Sequence, residues 1–348
     1  MTVLLTGAAG FIGYHVAEAL LAAGEPVIGV DNVNDYYDVR LKQARLDRLL
    51  PRRGFAFHPI DVADRAAMEA LAAAHPGIDR IVHLAAQAGV RHSLVDPYAY
   101  GHANLIGHLV VLEVARRLPA LRHLVYASTS SVYGASQALP FRETDRTDTP
   151  LSLYAATKLA AEAMSYSYAH LFGIPQTGLR FFTVYGPWGR PDMAYYSFAL
   201  AIAAGKPITL YDDGRLKRDF TYIDDIVAGV VGVLGLPPAG TSPGTSAGTS
   251  PATSPGTSAG LPSSRPPPAR VLNIGNHRAE EVRALVALLE QGLGRPAVMR
   301  TAPRPVADVT ATFASVEAIA DLTGFAPRVS LAEGIGRFVA WFRGFHGV

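Results

Sequence analysis

The sequence predicts a doubly wound α/β fold: a parallel sheet with helices on both faces. Two observations carry this. Over the first half of the chain, apolar runs of strand length alternate with segments of helical period, and directly after the first run three glycines recur at three-residue spacing, Gly7, Gly10 and Gly13. Strict alternation requires crossover connections, and crossovers within one sheet make its strands parallel. The composition agrees, because 348 residues of which 49% are apolar and 17% charged suffice for a sizeable core and two lobes.

Taken in order, VLLT (3–6), PVIGV (26–30), FAFHPI (55–60), IVHLA (81–85), LVYA (124–127) and TGLRFF (177–182) read as strands. The segments between them, FIGYHVAEALLAAG, VRLKQARLDRLL, ADRAAMEALAAAH, YGHANLIGHLVVLEVARRL and SLYAATKLAAEAMSYSYAHLFG, read as helices, several closed by glycine. After residue 183 the pieces shorten to a helix near 193–204, a strand pair near 207–222 and a helix over 223–235. Residues 237–269 carry an imperfect TSPGTSAG repeat without the apolar residues that ordering needs. They are expected to form a flexible surface insertion rather than an interdomain linker, because the VLNIGN that follows reads as a strand resuming an interrupted domain. Helices near 279–291 and 331–345 complete a smaller second lobe.

Lys plus Arg number 31 against 29 Asp plus Glu, so no bulk field draws the chain to nucleic acid or an anionic membrane, and anion recognition has to be local. The absence of cysteine excludes disulfides, thiolate metal sites and cysteine nucleophiles. His83 and His92 lack companions at ligand spacing, so no metal is expected. No window offers a charge-free apolar run of about 20 residues. The apolar start is broken by glycines and has no basic residue before Arg40, so neither a membrane span nor a secretory signal is expected. The expectation is a soluble cytoplasmic protein.

GAAGFIG opens the first helix straight after the first strand. Glycines there permit a tight turn, close backbone approach to a pyrophosphate and close helix packing, while the helix N-terminus presents N–H groups and a positive dipole end. Dinucleotide binding is the implied chemistry. The second strand ends at Asp31, where a carboxylate accepts hydrogen bonds from an adenosine ribose and repels a 2′-phosphate, favouring NAD over NADP. The alternative for Asp31 is a helix cap or turn residue. Asp61, just past the third strand, suits the adenine edge or an N-cap for the next helix.

YASTSSVYG sets four hydroxyls, Ser128, Thr129, Ser130 and Ser131, in a row at the end of an apolar strand. Downstream, SLYAATKLAAE places Tyr154 and Lys158 four apart on a helical segment, hence on one face. An ammonium beside a phenol favours the phenolate, drawing its pKa from about 10 toward neutrality and making tyrosine a usable acid or base. Alone such a pair is more often a packed surface pair, and the hydroxyl row is what points to chemistry.

GAAGFIG, SSVYG and Tyr154-Ala-Ala-Thr-Lys158 together resemble the extended short-chain dehydrogenase/reductase family of nucleotide-sugar epimerases and dehydratases, over essentially the whole chain except the TSPG insertion. The resemblance implies a Rossmann-type NAD-binding domain over residues 1–183. Residues 184–348 are then mainly a smaller α/β lobe for a UDP-sugar, able to return a strand to the Rossmann sheet. Tyr154 is implied as the base, Lys158 as the residue that holds the ribose and tunes the tyrosine, and Thr129, where many members carry serine, as the completing hydroxyl. Beside Gly7, Gly10, Gly13, Asp31 and Asp61, cofactor contacts are implied for Phe11, Ile12, Asn32, Val62, Leu84, Ala85, Ala86, Gln87 and Asn104. A homodimer is implied because YGHANLIGHLVVLEVARRL and SLYAATKLAAEAMSYSYAHL resemble the helices of the family's four-helix interface.

Dehydratases and decarboxylating members typically carry an acid in the hydroxyl segment, as in TDEVYG or TSEVYG, whereas this chain has TSSVYG. Eliminating water across C5 and C6 needs groups that take the C5 proton and protonate the leaving hydroxyl, which short hydroxyls do poorly; C4 epimerisation needs a proton taken from the C4 hydroxyl and a hydride moved away and back. DNVNDYYDVRLKQAR (31–45), HLAAQAGVRHSL (83–94) and RFFTVYGPWGRPDMA (180–194) resemble signatures of UDP-glucuronate 4-epimerases, and Thr183 stands where UDP-glucose 4-epimerases usually carry asparagine. A C6 carboxylate needs donors without a neighbouring acid, which Thr183 and Ser128, Ser130 and Ser131 supply. A diphosphate needs arginine forks, for which Arg91, Arg190 and Arg218 are candidates, Arg218 best by family position. Asp308 in PVADVTATFA matches a GDV element of the family, with Ala307 in place of glycine, and His92 also departs from the pattern. The implied activity is NAD-dependent interconversion of UDP-glucuronate and UDP-galacturonate. UDP-glucose 4-epimerase, UDP-glucuronate decarboxylase and a non-catalytic NAD-binding scaffold are the alternatives, the last opposed by the retention of both Tyr154 and Lys158.

Overall fold

The computed structural model describes residues 2–239, 266–304 and 309–348. Most of the repeat expected over 237–269, and Asp308, lie outside the described residues. The first half runs β1 (Thr2–Thr6), α1 (Phe11–Ala22), β2 (Val27–Val30), α2 (Val39–Leu49), β3 (Phe55–His58), α3 (Arg65–Ala74), β4 (Ile78–His83), α4 (Pro97–Tyr100), α5 (Gly107–Arg117), β5 (His123–Thr129), α6 (Leu153–Phe172) and β6 (Gln176–Phe181). There follow β7 (Thr183–Tyr185), α7 (Ala194–Ala203), β8 (Pro207–Tyr211), β9 (Lys217–Arg218), β10 (Phe220–Tyr222) and α8 (Ile223–Leu234). The last part holds β11 (Ala269–Ile274), β12 (Glu280–Glu281), α9 (Val282–Leu293), β13 (Val298–Ala302), α10 (Glu317–Thr323) and α11 (Leu331–His346).

Seven strands make one sheet in the order β11-β6-β5-β4-β1-β2-β3, each neighbouring pair parallel. Parallel strands are covered on both faces, which is why they read as near-continuous apolar runs. Successive residues of β1 serve opposite sides: Val3 and Leu5 pack in one core with Val16 of α1 and Val230 of α8, and Leu4 packs in another with Met68 of α3 and Val111 of α5. The seventh strand, β11, comes from after residue 265 and registers on β6 from Ala269 opposite Gln176 to Ile274 opposite Phe181. Strand order reverses between β1 and β4, and a crevice opens there at the carboxyl ends of the strands.

Three details differ from the pattern read in the sequence. β4 stops at His83, so Leu84 and Ala85 lie beyond the sheet. The helix expected over 100–118 is interrupted at Gly101–Ile106 by a π turn, and within it Asn104 is drawn into hydrogen bonds with the main chain of Gln87. The strand pair expected near 207–222 does not form: β8 pairs with β13 and β10 with β7. Positive φ at Asp212, Asp213 and Gly214 turns the chain away from the hairpin path.

The turn that ends the hydroxyl row fixes one residue type. Gly134 has φ 58° and ψ −126°, and a Cβ there would stand 2.0 Å from the Thr149 carbonyl oxygen. Gly134→Ala is therefore expected to lower stability by about 1–3 kcal/mol or more; an unchanged midpoint in denaturant unfolding would contradict this.

Candidate active site

A cavity of about 1020 Å³ occupies the crevice. One half is built by the turn between β1 and α1. Gly7 has φ 77°, and a Cβ on it would lie 2.8 Å from the Ala85 nitrogen; a Cβ on Gly13 would lie 2.0 Å from the Gly7 carbonyl. Both positions therefore exclude any side chain. α1 starts at Phe11 with Gly10 as N-cap and no side-chain cap, and Gly10, Phe11, Ile12 and Gly13 line the cavity. Asp31, buried at the end of β2, accepts from Ala9 N (3.1 Å) and Val33 N (2.8 Å). Burial pushes its carboxyl up against the opposing pull of these bonds and of Lys42 and Arg45. It does not cap α2, a role taken by Asp38.

Asp61 likewise does not cap α3, because Asp64 does. Its carboxylate accepts from Asn32 Nδ2 (2.9 Å) and Ala63 N (2.8 Å), and these bonds hold it below its ordinary range despite the upward push of burial. Asp61, Asn32, Val62, Leu84, Ala85, Ala86 and Gln87 wall this half. Glycines with no space for Cβ, an uncapped helix start and a buried carboxylate at the end of β2 fit a dinucleotide. Asn104 is the exception among the expected cofactor contacts. It lies behind the wall, with Oδ1 accepting from Gln87 N and Nδ2 donating to Gln87 O and Thr157 Oγ1, so it shapes the loop after β4 and does not line the cavity.

Tyr154 and Lys158 stand in the first turns of α6, whose start is capped by Ser152 accepting from Ala155 N. Both line the cavity, Lys158 buried and Tyr154 half-buried. Lys158 Nζ donates to the Ala127 carbonyl at 3.0 Å, and burial lowers its pKa from 10.5 to about 8. Tyr154 departs from the simple expectation of a lysine-lowered phenol. Burial raises its pKa, and the two groups that pull it down are the Thr129 hydroxyl, by hydrogen bond, and the charge of Arg190. Lys158 is not among them.

The hydroxyl row separates into three roles of geometry. Ser128 lines the cavity but donates its hydroxyl proton to Glu162 Oε1 at 2.5 Å. Thr129 Oγ1 caps the short turn Ser130–Tyr133 by accepting from Ser131 N (3.2 Å). Ser130 and Ser131 line the main cavity and also a side chamber of about 150 Å³, together with Thr183 and Arg218. Arg190 faces the cavity and pairs bidentately with Asp192, at 3.0 Å from Nε and 2.5 Å from Nη2. Arg91 lies over the ring of Tyr211, 4.5 Å from its centroid.

The profile of the NAD dependent epimerase/dehydratase family matches residues 3–245. The chain belongs to that family. It is 47% identical to a probable UDP-glucuronate 4-epimerase of Rhizobium meliloti (strain 1021), over 98% of this chain and 97% of the relative. It is 42% identical to UDP-glucuronate 4-epimerase 5 of Arabidopsis thaliana, over 99% of this chain and 76% of that one. Among solved structures, UDP-glucuronic acid 4-epimerase from Bacillus cereus in complex with UDP-glucuronic acid and NAD matches with a TM-score of 0.85 at 30% identity, covering 99% of this chain and 100% of that chain.

Sequence reasoning missed the charged groups behind the wall. Arg180 and Glu162 form a buried ion pair (2.8 Å) that takes the Ser128 hydroxyl and, through Tyr133, reaches Asn273 of β11. The available signal was an arginine inside the apolar strand TGLRFF, since a buried charge needs a partner.

The lowered Lys158 pKa sets a stability test. The unfolded chain keeps the ordinary value of 10.5, so the cost of burying the ammonium is full below about pH 8 and fades as pH rises from 8 to 10.5. Lys158→Met is expected to stabilise the protein at pH 7 by roughly 1–3 kcal/mol, a gain that shrinks toward pH 10. Chemical denaturation of both proteins across that range reads it, and equal stability at pH 7 would contradict the assigned cost.

Proposed function

We propose that this chain interconverts UDP-glucuronate and UDP-galacturonate by reversible epimerisation at C4, with NAD held in the glycine-walled half of the cavity. The observation that carries the reading is the wall around Tyr154: Thr129, Ser130, Ser131 and Thr183 with Arg190 and Arg218. Among the described residues the one carboxylate lining that half is Asp192, and it is bound to Arg190. Hydroxyls and guanidinium groups without an unpaired acid suit a sugar carboxylate and a diphosphate. The activity named for the relatives above agrees.

When bound, NAD would supply a hydride acceptor and donor, held by the glycine turn, Asp31 and Lys158. Tyr154 Oη takes the proton of the C4 hydroxyl as C4 becomes a ketone, and returns it once the sugar has turned about its diphosphate to present the other face. Thr129 holds the C4 oxygen and the phenol in one hydrogen-bonded set, pulling the phenol toward ionisation. Lys158, charged below about pH 8, would hold the ribose and keeps the region positive. The 4-keto uronate is a β-keto acid, which loses CO₂ when its carboxylate bond aligns with the carbonyl π system. Donors from Ser130, Ser131 and Thr183 hold the carboxylate away from that alignment.

The same reading divides the chain into an NAD-binding domain over 1–183, completed by β11, and a UDP-sugar lobe over 184–348. It pairs two copies through α5 and α6, whose outer faces expose Leu109 and Tyr166, and it sets the reaction in the cytoplasm. No described helix is long and apolar enough to cross a membrane.

Tyr154→Phe is expected to lower interconversion by about 10²–10⁴-fold or more while UDP-glucuronate still binds. Product analysis by NMR with UDP-glucuronate, UDP-galacturonate and UDP-glucose decides, and near-normal turnover in the variant, or conversion of UDP-glucose alone, would overturn the assignment. Thr129→Val should move the acid limb of the kcat/KM profile to higher pH, because the phenol loses the bond that draws its pKa down, and Thr129→Ser should restore it. A limb that stays in place in Thr129→Val removes Thr129 from this role.

A further inference from the structure

Arg45 of α2 is wholly buried, yet its guanidinium makes five hydrogen bonds that all end on carbonyl or phenol oxygens. Nη1 donates to the Ala9 carbonyl (2.8 Å) and to Tyr37 Oη (2.7 Å). Nε and Nη2 donate to the Trp188 carbonyl (3.1 and 2.6 Å), and Nη2 also to the Gly189 carbonyl (3.1 Å). A charge is costly to bury, so a fork held by fixed backbone dipoles marks a rigid joint between the segments that supply them.

Those segments are the two halves of the site. Ala9 lies in the glycine turn, and its N–H is bound to Asp31, so this one residue is gripped through its N–H by the carboxylate and through its carbonyl by Arg45. Trp188 and Gly189 are the two residues before Arg190, and Trp188 is held at φ 60°, a left-handed conformation that is strained for a non-glycine residue. A second tie runs parallel to the first. Tyr36, from the loop after β2, donates to Asp192 Oδ2 (3.3 Å), and Asp192 grips the Nε and Nη2 edge of Arg190.

We propose that Arg45, with Tyr36 and Asp192, positions Arg190 and thereby couples dinucleotide binding in the glycine turn to nucleotide-sugar binding at the arginine. The inference rests on the reading of the cavity as an NAD and UDP-sugar site. A pyrophosphate on the glycine turn and a ribose on Asp31 immobilise Ala9; Arg45 carries that constraint to the backbone of Trp188 and Gly189, and Asp192 sets the guanidinium. A nucleotide diphosphate engaging Arg190 then stiffens the same joint from the other end, and the bound dinucleotide leaves more slowly.

Release of NAD from the purified holoenzyme after dilution, with and without saturating UDP, tests this. UDP is expected to slow release about tenfold in the parent chain, within the usual range of coupling between sites. Arg45→Lys keeps the charge but loses the fork, and should reduce the slowing to less than about twofold. Because that variant alters a buried group, Tyr36→Phe and Asp192→Asn serve as partners at less buried positions, each expected to reduce the slowing to about threefold with the melting temperature within a few degrees of the parent. A merely structural role would lower the melting temperature without changing the response to UDP. Parent-like slowing in Tyr36→Phe and Asp192→Asn, or no slowing in the parent, overturns the proposal. Since UDP is read by binding and not by turnover, failure of the epimerase reading shows separately, as UDP binding without interconversion of the uronates.

Discussion

Burial of two titratable side chains at the start of α6 is the constraint on which the site depends. Lys158 is buried and Tyr154 half-buried at the cavity wall, and burial is the largest influence on each, raising the phenol and lowering the ammonium. Neither would persist there without compensation. Lys158 takes the Ala127 carbonyl at the end of β5, and Tyr154 takes the Thr129 hydroxyl two residues on. The end of β5 is thus a partner surface for both reactive groups, and whatever fixes that strand end fixes the chemistry.

Two structures fix it. In front, Thr129 caps the turn Ser130–Tyr133, and Gly134 closes that turn in a conformation available only to glycine. Behind, Ser128 is bonded into the Glu162 and Arg180 ion pair, which ties β5 to α6 and β6. Replacing one partner of that pair would leave an uncompensated buried charge, which costs far more than the pair itself contributes. The pair is better understood as a device for placing the strand end than as a source of net stability, consistent with its position directly behind the hydroxyl row.

Much of the fold was legible because its pattern is local and repetitive. Strand and helix alternation, the glycine turn and the Tyr154 and Lys158 spacing each follow from short-range rules, and all seven sheet strands lie where apolar runs stand. What escaped reading depends on contacts between distant residues. No local rule distinguishes Ser128, turned to Glu162, from Ser130 and Ser131, which face the side chamber. Asn104 moved from the cofactor wall to its support because a π turn rotates its amide onto Gln87, a register shift that periodicity does not show. The β8 strand found its partner in β13, some ninety residues away in the chain. Arg45 sat in a quoted motif with no assigned task, since a fully buried arginine satisfied by carbonyls has no signature in sequence.

The central claim is that C4 is oxidised and reduced within a closed site while the uronate keeps its carboxylate. Incubation of the holoenzyme with UDP-glucuronate in D₂O, followed by proton NMR, tests it most directly. The account predicts UDP-galacturonate that carries protium at C4, because the hydrogen removed from C4 is returned to C4 without exchange with solvent, and no release of CO₂. Deuterium at C4, or a pentose product with its carboxylate lost, would contradict it.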